Sequence, residues 1–170
     1  MIKGEIRNNQ ILELIQEVPG LNFRDIMRIT GFKNGVLSYH INKLEKKDKV
    51  NVIRRAGNTR FFSIDVNEQD LDLLEMLRRP TPKEIILLLN RHPEGLSMYQ
   101  IIQHCQKAQS TISVYLQLLL SKKIISIRLC GKKKIFVLRN TTRVQNVLQR
   151  YNFKPLEKTV QNFNDMFESL

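Results

Sequence analysis

The sequence predicts a mainly helical protein with small β-hairpins, an α+β fold made of two copies of one module and completed by C-terminal helices. Three observations predict this fold. Apolar residues recur at helical spacing over much of the chain, and two β-rich runs each enclose a turn with glycine. The sequence also aligns with itself, without a gap, after a shift of about 75 residues.

The internal repeat keeps similar residue types over three helices and a hairpin. PGLN at 19–22 falls on EGLS at 94–97, and Ser38 falls on Ser113. The apolar pairs are Ile26 with Ile101, Leu37 with Ile112, Ile41 with Leu116, Leu44 with Leu119, Val50 with Ile125, Val52 with Ile127, and Phe61 with Phe136. Chance rarely holds register over so many elements, so we interpret the chain as two copies of one module.

The first copy is predicted to be three helices followed by a hairpin. Apolar residues at Ile11, Leu12 and Ile15 predict a helix over 5–16, which Pro19-Gly20 ends. Two more helices are predicted at 23–29 and 34–47. The strings VNVIRR and TRFFSI, on either side of a turn with Gly57-Asn58, predict the hairpin. This order is the winged helix-turn-helix layout.

The second copy repeats that order. A fourth helix at 68–78 carries an acidic segment, and then come helices at 82–90, 98–105 and 109–122 with a hairpin of IISIRL and KIFVLR. Two helices at 142–151 and 155–169 end the chain. We therefore predict a first winged helix-turn-helix domain with its linking helix at 1–79, a second at 80–140, and a helical tail at 141–170 for packing or dimerisation.

A family resemblance rests on GVLSYHINKLEKKDKVNVIRRAGNTRFF, residues 35–62. This string resembles the recognition helix and wing of archaeal winged-helix transcriptional regulators of the broad ArsR and MarR-like superfamily, which have Leu-Ser-x-His-[Ile/Leu]-x-x-Leu before a basic hairpin. The second copy keeps Ile-Ser-x-Tyr-Leu-x-x-Leu in QSTISVYLQLLLSKKIISI. Where the family usually has glycine before the wing, this chain has Lys47-Asp48-Lys49 and Lys122-Lys123, and Asp tolerates a left-handed turn conformation. The resemblance implies a DNA-binding transcriptional regulator.

The third helix of the first copy has an apolar edge and a polar outer face. Leu37, Ile41 and Leu44 point towards the core at the helical period. The candidate base-contacting residues are Asn34, Gly35, Ser38, Tyr39, Asn42, Lys43 and Lys46. Asn can bond adenine, Ser and Tyr can reach base edges or phosphates, Lys can bind phosphate or guanine, and the first amides of the helix can bind a phosphate. A merely solvated face is the alternative, which the helix order, the basic hairpin and the net charge disfavour. We expect His40, nearer the core direction, to support the fold instead.

The two hairpins, or wings, carry clusters of cations that suit phosphate contact or entry into a minor groove. The candidates are Arg54, Arg55, Asn58 and Arg60 in the first wing and Arg128, Lys132, Lys133 and Lys134 in the second. Charged residues are also common at solvated hairpin tips, but their recurrence in both copies favours phosphate contact.

The outer face of the second copy's third helix differs from the first. It carries Ser110, Ser113, Val114, Gln117, Leu118 and Ser121, and none of these is charged. Val114 and Leu118 predict packing against protein rather than phosphate contact. A second apolar stripe, in the tail, comprises Leu156, Val160, Phe163, Phe167 and Leu170 at heptad spacing. It spans about two heptads, so packing on its own domain and pairing in a homodimer are both open.

Composition favours an anionic partner and an intracellular protein. Lys and Arg number 28 against 16 Asp and Glu, a net charge of +12, and the basic residues flank an acidic segment at 65–79. No apolar run is long enough for a membrane span, and MIKGEIRNNQ lacks the apolar run of a signal peptide. Two cysteines, Cys105 and Cys130, do not make a disulfide framework. We therefore predict a cytoplasmic protein without a membrane partner.

Enzymatic and metal-binding functions are disfavoured. The chain has no P-loop, dinucleotide-binding glycine motif, nucleophile elbow or HExxH pair. Its His and Cys residues lack metal-ligand spacing, and Cys130 in the second wing is more simply an incidental thiol than a sensor. We predict no catalysis, no cofactor and no metal.

Three functional hypotheses follow. The first is sequence-specific binding of double-stranded DNA by a transcriptional regulator, in which the first module contacts bases in the major groove and the wings contact the backbone or minor groove. The second is a replication initiator or chromatin-architectural protein, in which both modules face DNA. The third is a winged-helix module that binds protein, and its surface would include Val114 and Leu118.

Overall fold

The computed structural model describes residues 2–55, 57–151 and 153. This part of the chain is mainly helical with small antiparallel hairpins, which confirms the predicted α+β fold class. It divides into two compact units. The first holds the described residues up to Glu68 together with 151 and 153, and the second runs from Gln69 to Arg150.

Three helices and a hairpin form the first unit in the predicted order. They are α1 (Ile2–Glu17), α2 (Phe23–Thr30), α3 (Asn34–Lys46), β1 (Val50–Arg55) and β2 (Asn58–Ser63). Asn22 caps α2 because its Oδ1 accepts a hydrogen bond from the Asp25 amide at 2.8 Å. Gly31 ends the helix in the left-handed conformation that suits glycine, at φ 68°. The short turn that follows leads directly into α3.

A single apolar core fixes α3 in the first unit. Leu37 is fully buried, and Ile41 and Leu44 are nearly so, because their spacing puts them on one edge of the helix. Phe61 of β2 contributes its ring to the same core. The other core residues are Ile11, Leu14, Ile15, Val18, Leu21, Ile26, Ile29 and Val50.

The hairpin is tied to the loop before α2 by a short β-bridge. The Phe61 amide donates to the Leu21 carbonyl at 3.0 Å, and the Gly20 amide donates to the Phe61 carbonyl at 2.7 Å. These bonds satisfy backbone groups that would otherwise be buried without partners. They also set the position of β2 relative to the helices.

The second unit has the same order of elements and further helices at each end. Its elements are α4 (Leu71–Leu77), α5 (Pro80–Arg91), β3 (Leu96–Ser97), α6 (Met98–Cys105), α7 (Gln109–Ser121), β4 (Ile125–Cys130), β5 (Lys133–Leu138) and α8 (Thr141–Arg150). Ser97 begins α6 with a capping box, in which its side chain accepts from the Gln100 amide while Gln100 Oε1 accepts from the Ser97 amide. β5 lies between β3 and β4.

Four pairs of elements, α2 with α6, α3 with α7, β1 with β4 and β2 with β5, begin and end at residues 75 positions apart, whereas α5 begins and ends at other positions than α1 would after that shift. Met98, for example, begins α6 where Phe23 begins α2, and Leu96 pairs with Phe136 as Leu21 bridges Phe61. The turn before each wing also takes the left-handed conformation, at φ 51° for Asp48 and 55° for Lys123. Asp48 thus adopts the left-handed conformation that Asp tolerates. The two-residue strand β3 was not predicted, because a periodic pattern cannot be recognised over two residues.

The acidic helix α4 lies in the second unit, whereas the sequence analysis assigned it to the first domain. Lys122 Nζ lies 2.7 Å from Asp72 Oδ1 and 3.3 Å from Glu75 Oε2, and Arg143 Nε lies 2.7 Å from Asp70 Oδ1. These ion pairs connect the acidic segment to basic residues of the second unit. The structural boundary therefore falls near residue 68 rather than 79, while the division into functional domains stays a prediction.

Only part of the predicted tail lies in the described structure. α8 matches the first predicted tail helix within a residue at each end. The second predicted helix, with Leu156, Val160, Phe163 and Phe167, lies outside the described residues. None of the described helices is long and apolar enough to cross a membrane.

Gly95 provides a test of the packing between β5 and the loop before β3. Its φ is 88°, and an added Cβ would overlap Val137 Cγ1 and lie 2.6 Å from Ile135 Cγ2 and 2.7 Å from the Phe136 carbonyl. We expect Gly95→Ala to destabilise the protein by about 3 kcal/mol or more, from backbone strain and overpacking together. Gly131→Ala is the matched control, since Gly131 also has a positive φ, 59°, but open space around it. Gly131→Ala should lower the free energy of unfolding in urea by only about 1 kcal/mol. An equal loss of stability in the two variants would contradict the packing described around Gly95.

Candidate nucleic-acid interface

The outer face of α3 is exposed because its opposite edge is held in the core. Gly35, Asn42 and Lys46 are exposed, Lys43 is half-buried, and 62% of Tyr39 is accessible. The structure thus presents amide, phenol and ammonium groups together on one helix face. These are groups that can contact base edges and phosphates in a major groove.

Asn34 and Ser38 form a small polar pair at the start of α3. Ser38 Oγ donates to Asn34 Oδ1 at 3.1 Å, one helical turn apart. Lys33 precedes the helix in an extended conformation and makes no side-chain capping bond. The first amides of α3 are therefore not capped by the Lys33 side chain, which suits an approaching anion.

His40 is more buried than the boundary position expected for it, and it has the expected role of supporting the position of α3. Its side chain is 4% exposed, and its Nδ1 donates to Asn8 Oδ1 of α1 at 2.8 Å. The exposed Tyr39 ring meets the His40 ring edge-on, with centroids 5.2 Å apart. Burial lowers the pKa of His40, and the positive charges of Arg7 and Lys43 lower it further. The neutral imidazole is therefore the form that fits the fold.

The first wing holds its predicted cations in three different environments. Arg54 makes a bidentate ion pair with Glu45 of α3, with Nη1–Oε1 and Nη2–Oε2 distances of 2.6 and 2.7 Å. Arg55 is exposed at the end of β1, and its strand partner Asn58 is half-buried. Arg60 was predicted to lie at the wing tip, but it does not. It is 9% exposed, and its Nη1 donates to the Gly20 carbonyl at 2.9 Å, so it braces the loop before α2.

The second wing presents a compact cationic tip. Lys132, Lys133 and Lys134 are all exposed around the turn at Gly131. Arg128, also exposed, donates from Nη2 to the carbonyl of Glu94 and is thereby directed to the loop before β3. Leu129 is 70% exposed beside these charges. Three of the four predicted cations therefore stand at the tip itself.

The outer face of α7 has the predicted neutral character. Val114 is 62% exposed and Leu118 is half-buried. Ser110, Gln117 and Ser121 are exposed beside them, and Ser113 is half-buried. This face lacks the ammonium groups that α3 presents.

The cysteines and histidines of the second unit do not assemble a metal-binding group in the described residues. Cys105 is buried, which raises the pKa of its thiol to about 11 and keeps it protonated. The His92 and His104 rings lie 5.9 Å apart, and His92 Nδ1 is 3.0 Å from Glu94 Oε1. In the described chain no three His, Cys, Asp or Glu side chains are grouped so as to hold a metal ion.

The helix order, the position of α3 and the hairpin give the first unit the layout of a winged helix-turn-helix domain. Residues 7–51 match the family described as winged helix-turn-helix DNA-binding. That match extends from α1 to the start of β1 and includes the whole of α3. The predicted class of domain is therefore confirmed for this part of the chain.

Comparisons over the whole chain add little. No curated protein sequence matches it. Among solved structures, a conserved hypothetical protein from Chlorobium tepidum aligns with 85% of this chain and 99% of its own, at 14% identity and a TM-score of 0.28. We base no argument on a likeness of that degree.

Two residues that shape the interface were missed in the sequence. Asn8 was not singled out because its role depends on His40, 32 residues away. Glu45 was overlooked although it is the one acidic residue of α3, next to a basic hairpin. That isolated negative charge was the signal available in the sequence.

The buried His40 predicts a pH dependence of stability. Because its pKa in the folded protein lies below 6.5, the unfolded chain binds more protons as the pH falls below about that value. The free energy of unfolding should therefore be fully retained above pH 6.5 and decrease below it. Chemical unfolding at a series of pH values would measure this. His40→Gln should flatten the slope between about pH 6.5 and 5; a slope as steep as that of the native protein would contradict the assignment.

Proposed function

We propose that the protein is a transcriptional regulator that binds specific sequences in double-stranded DNA, with α3 in the major groove. The observation that carries this proposal is the exposed outer face of α3, within the stretch that matches a DNA-binding family. The base-contacting set is Gly35, Tyr39, Asn42 and Lys43, with Asn34, Ser38 and Lys46 beside them. An ArsR or MarR-like affiliation, an archaeal source and a cytoplasmic location remain part of the proposal.

The proposed backbone contacts come from the wings. Arg55 and Asn58 are the last paired residues of β1 and β2 before the turn of the first hairpin, and the lysines at 132–134 form the tip of the second hairpin. Arg60 is excluded from this set because it is buried. Arg54 and Arg128 are exposed but already bonded within the protein. Lysine side chains suit a contact that recognises phosphate charge and not base identity.

We also propose that the second unit is a second winged-helix module with a different task. The coincident ends of four pairs of elements and the matching β-bridges support a common architecture. Its uncharged α7 face supports a division of labour, in which α3 selects the sequence and the second wing strengthens binding. The exposed Val114 favours protein contact at α7, and this surface is the second candidate function of the unit. A homodimer through this face or the tail stays an open prediction.

Salt dependence tests the electrostatic part of the proposal. If the wings and α3 together neutralise several phosphates, the plot of log K against log salt for random duplex DNA should have a slope between roughly −3 and −5. Fluorescence anisotropy with a labelled duplex would measure it. An absence of binding at low salt, or a slope near zero, would contradict DNA binding and leave protein interaction as the function.

The division of labour predicts different consequences for substitutions in the two units. Asn42→Ala and Lys43→Ala should reduce the preference for selected over random duplex by roughly 5- to 100-fold, because each good base contact contributes about 1–3 kcal/mol. Replacing Lys132, Lys133 and Lys134 by Ala should weaken binding to every duplex and leave that preference unchanged. Arg91→Ala, an exposed cation on α5, is the control for lost charge.

Sequences selected from a random DNA pool provide the duplexes for this comparison. Inverted half-sites among them would indicate a symmetric dimer. Equal loss of preference after substitution of both units would contradict the division of labour. It would instead favour an initiator or architectural protein with both modules on bases.

A further inference from the structure

The Glu45–Arg54 ion pair joins the outer part of α3 to the first wing. Glu45 Oε1 accepts from Arg54 Nη1 at 2.6 Å, and Oε2 accepts from Nη2 at 2.7 Å. Both oxygens of the carboxylate and both terminal nitrogens of the guanidinium are thus engaged with each other. This parallel arrangement is the strong, directional form of the pair.

The pair lies at the edge of the proposed DNA-binding surface and not in the core. The side chain of Arg54 is 58% exposed and that of Glu45 is 32% exposed. On the helical wheel, Glu45 lies about 20° from Ser38, two turns further along α3. Arg55, the next residue of β1, points to the opposite face of the strand. Arg54 is therefore directed at the recognition helix.

The pair keeps both groups charged near neutral pH. The hydrogen bonds and charge of Arg54 lower the pKa of Glu45, and those of Glu45 raise the pKa of Arg54. The carboxylate is thus ionised throughout the range in which DNA binding would be measured. A phosphate that approached Arg54 would have to displace this carboxylate and leave it beside another anion.

The second unit has no ion pair at the corresponding positions. The residues there are Leu120, half-buried on α7, and Leu129, 70% exposed on β4. The cations of the second wing stand instead at its tip, from Lys132 to Lys134. The two units therefore differ in whether a wing cation is bound to the helix beside it.

We propose that Glu45 limits the affinity of the protein for the DNA backbone by holding Arg54 away from the phosphates. This inference rests on the proposed DNA binding. Arg54 and Glu45 together then add no net charge to the interface. Glu45 acts here as a positioning residue, through Arg54, and touches no base itself.

A double-substitution cycle tests this proposal with random duplex DNA. Glu45→Gln keeps the size of the side chain but removes the charge that holds Arg54, so Arg54 becomes free to bind a phosphate. The log–log salt slope should steepen by about 0.9, and binding at 0.1 M salt should tighten roughly 8-fold. In the Glu45→Gln background, Arg54→Gln should then reverse both changes.

The decisive comparison is Arg54→Gln alone. If Glu45 holds Arg54 off the DNA, this substitution should leave the salt slope nearly unchanged, because no phosphate contact is lost. A loss of about 0.9 in the slope while Glu45 is present would show that Arg54 already binds phosphate and would overturn the proposal. An unchanged slope in Glu45→Gln would overturn it as well.

The controls separate this inference from the proposed function and from folding. Glu13→Gln removes another exposed carboxylate, on α1, and should leave the slope as it is in the native protein. Exposed ion pairs contribute little to stability, so all variants should unfold at nearly the same temperature. Failure of the native protein to bind duplex DNA would overturn the proposed function and this inference together. If the native protein binds duplex DNA normally but the effects of Glu45→Gln and Arg54→Gln on the salt slope simply add in the double variant, this inference alone would be overturned.

Discussion

The burial of one edge of α3 is the constraint on which the candidate interface depends. Leu37, Ile41 and Leu44 enter the core of the first unit, so the opposite face of the helix must point outwards. Each of these apolar side chains contributes roughly 1.5–3 kcal/mol when it leaves water. The His40–Asn8 hydrogen bond adds a directional contact that fixes the rotation of the helix about its axis. The polar face is thus set by packing and not by the polar residues themselves.

The two units keep the same backbone plan and differ on their surfaces. Core positions stay apolar between them, from Leu37 and Ile112 to Phe61 and Phe136. Surface positions change in character, as where Tyr39 and Lys43 are replaced by Val114 and Leu118. Close packing restricts the first kind of position, whereas solvent tolerates change at the second. The surfaces of the two units can therefore differ while the order of their elements stays the same.

Most of the fold could be predicted from the sequence because the features that specify its helices and turns lie close together in the chain. The apolar stripe of α3, Gly31 after α2 and the turn at Gly57 each depend on residues close together in the chain. The outward face of α3 followed from the same stripe, which is why Asn42 and Tyr39 were correctly placed on the surface.

The errors concern contacts between residues that are distant in sequence. Arg60 was interpreted as a wing-tip cation, but the strand register pairs it with Ile53, two residue pairs away from the turn. At that position its guanidinium donates a hydrogen bond to the Gly20 carbonyl. The acidic helix α4 looked like a linker because its cationic partners, Lys122 and Arg143, lie about fifty and seventy residues further along. Hydrophobic periodicity carries no information about such partners.

The exposed apolar residues of β4 have a consequence for solution behaviour. Among the described strands, β4 is an outer one of its sheet, and it carries Ile127 and Leu129, which are 44% and 70% exposed. An open strand edge with apolar side chains invites pairing with another molecule's strand. The lysines at the neighbouring turn oppose that pairing by mutual repulsion between copies. The positive charge of these lysines therefore disfavours self-aggregation whenever the lysines are not bound to an anion.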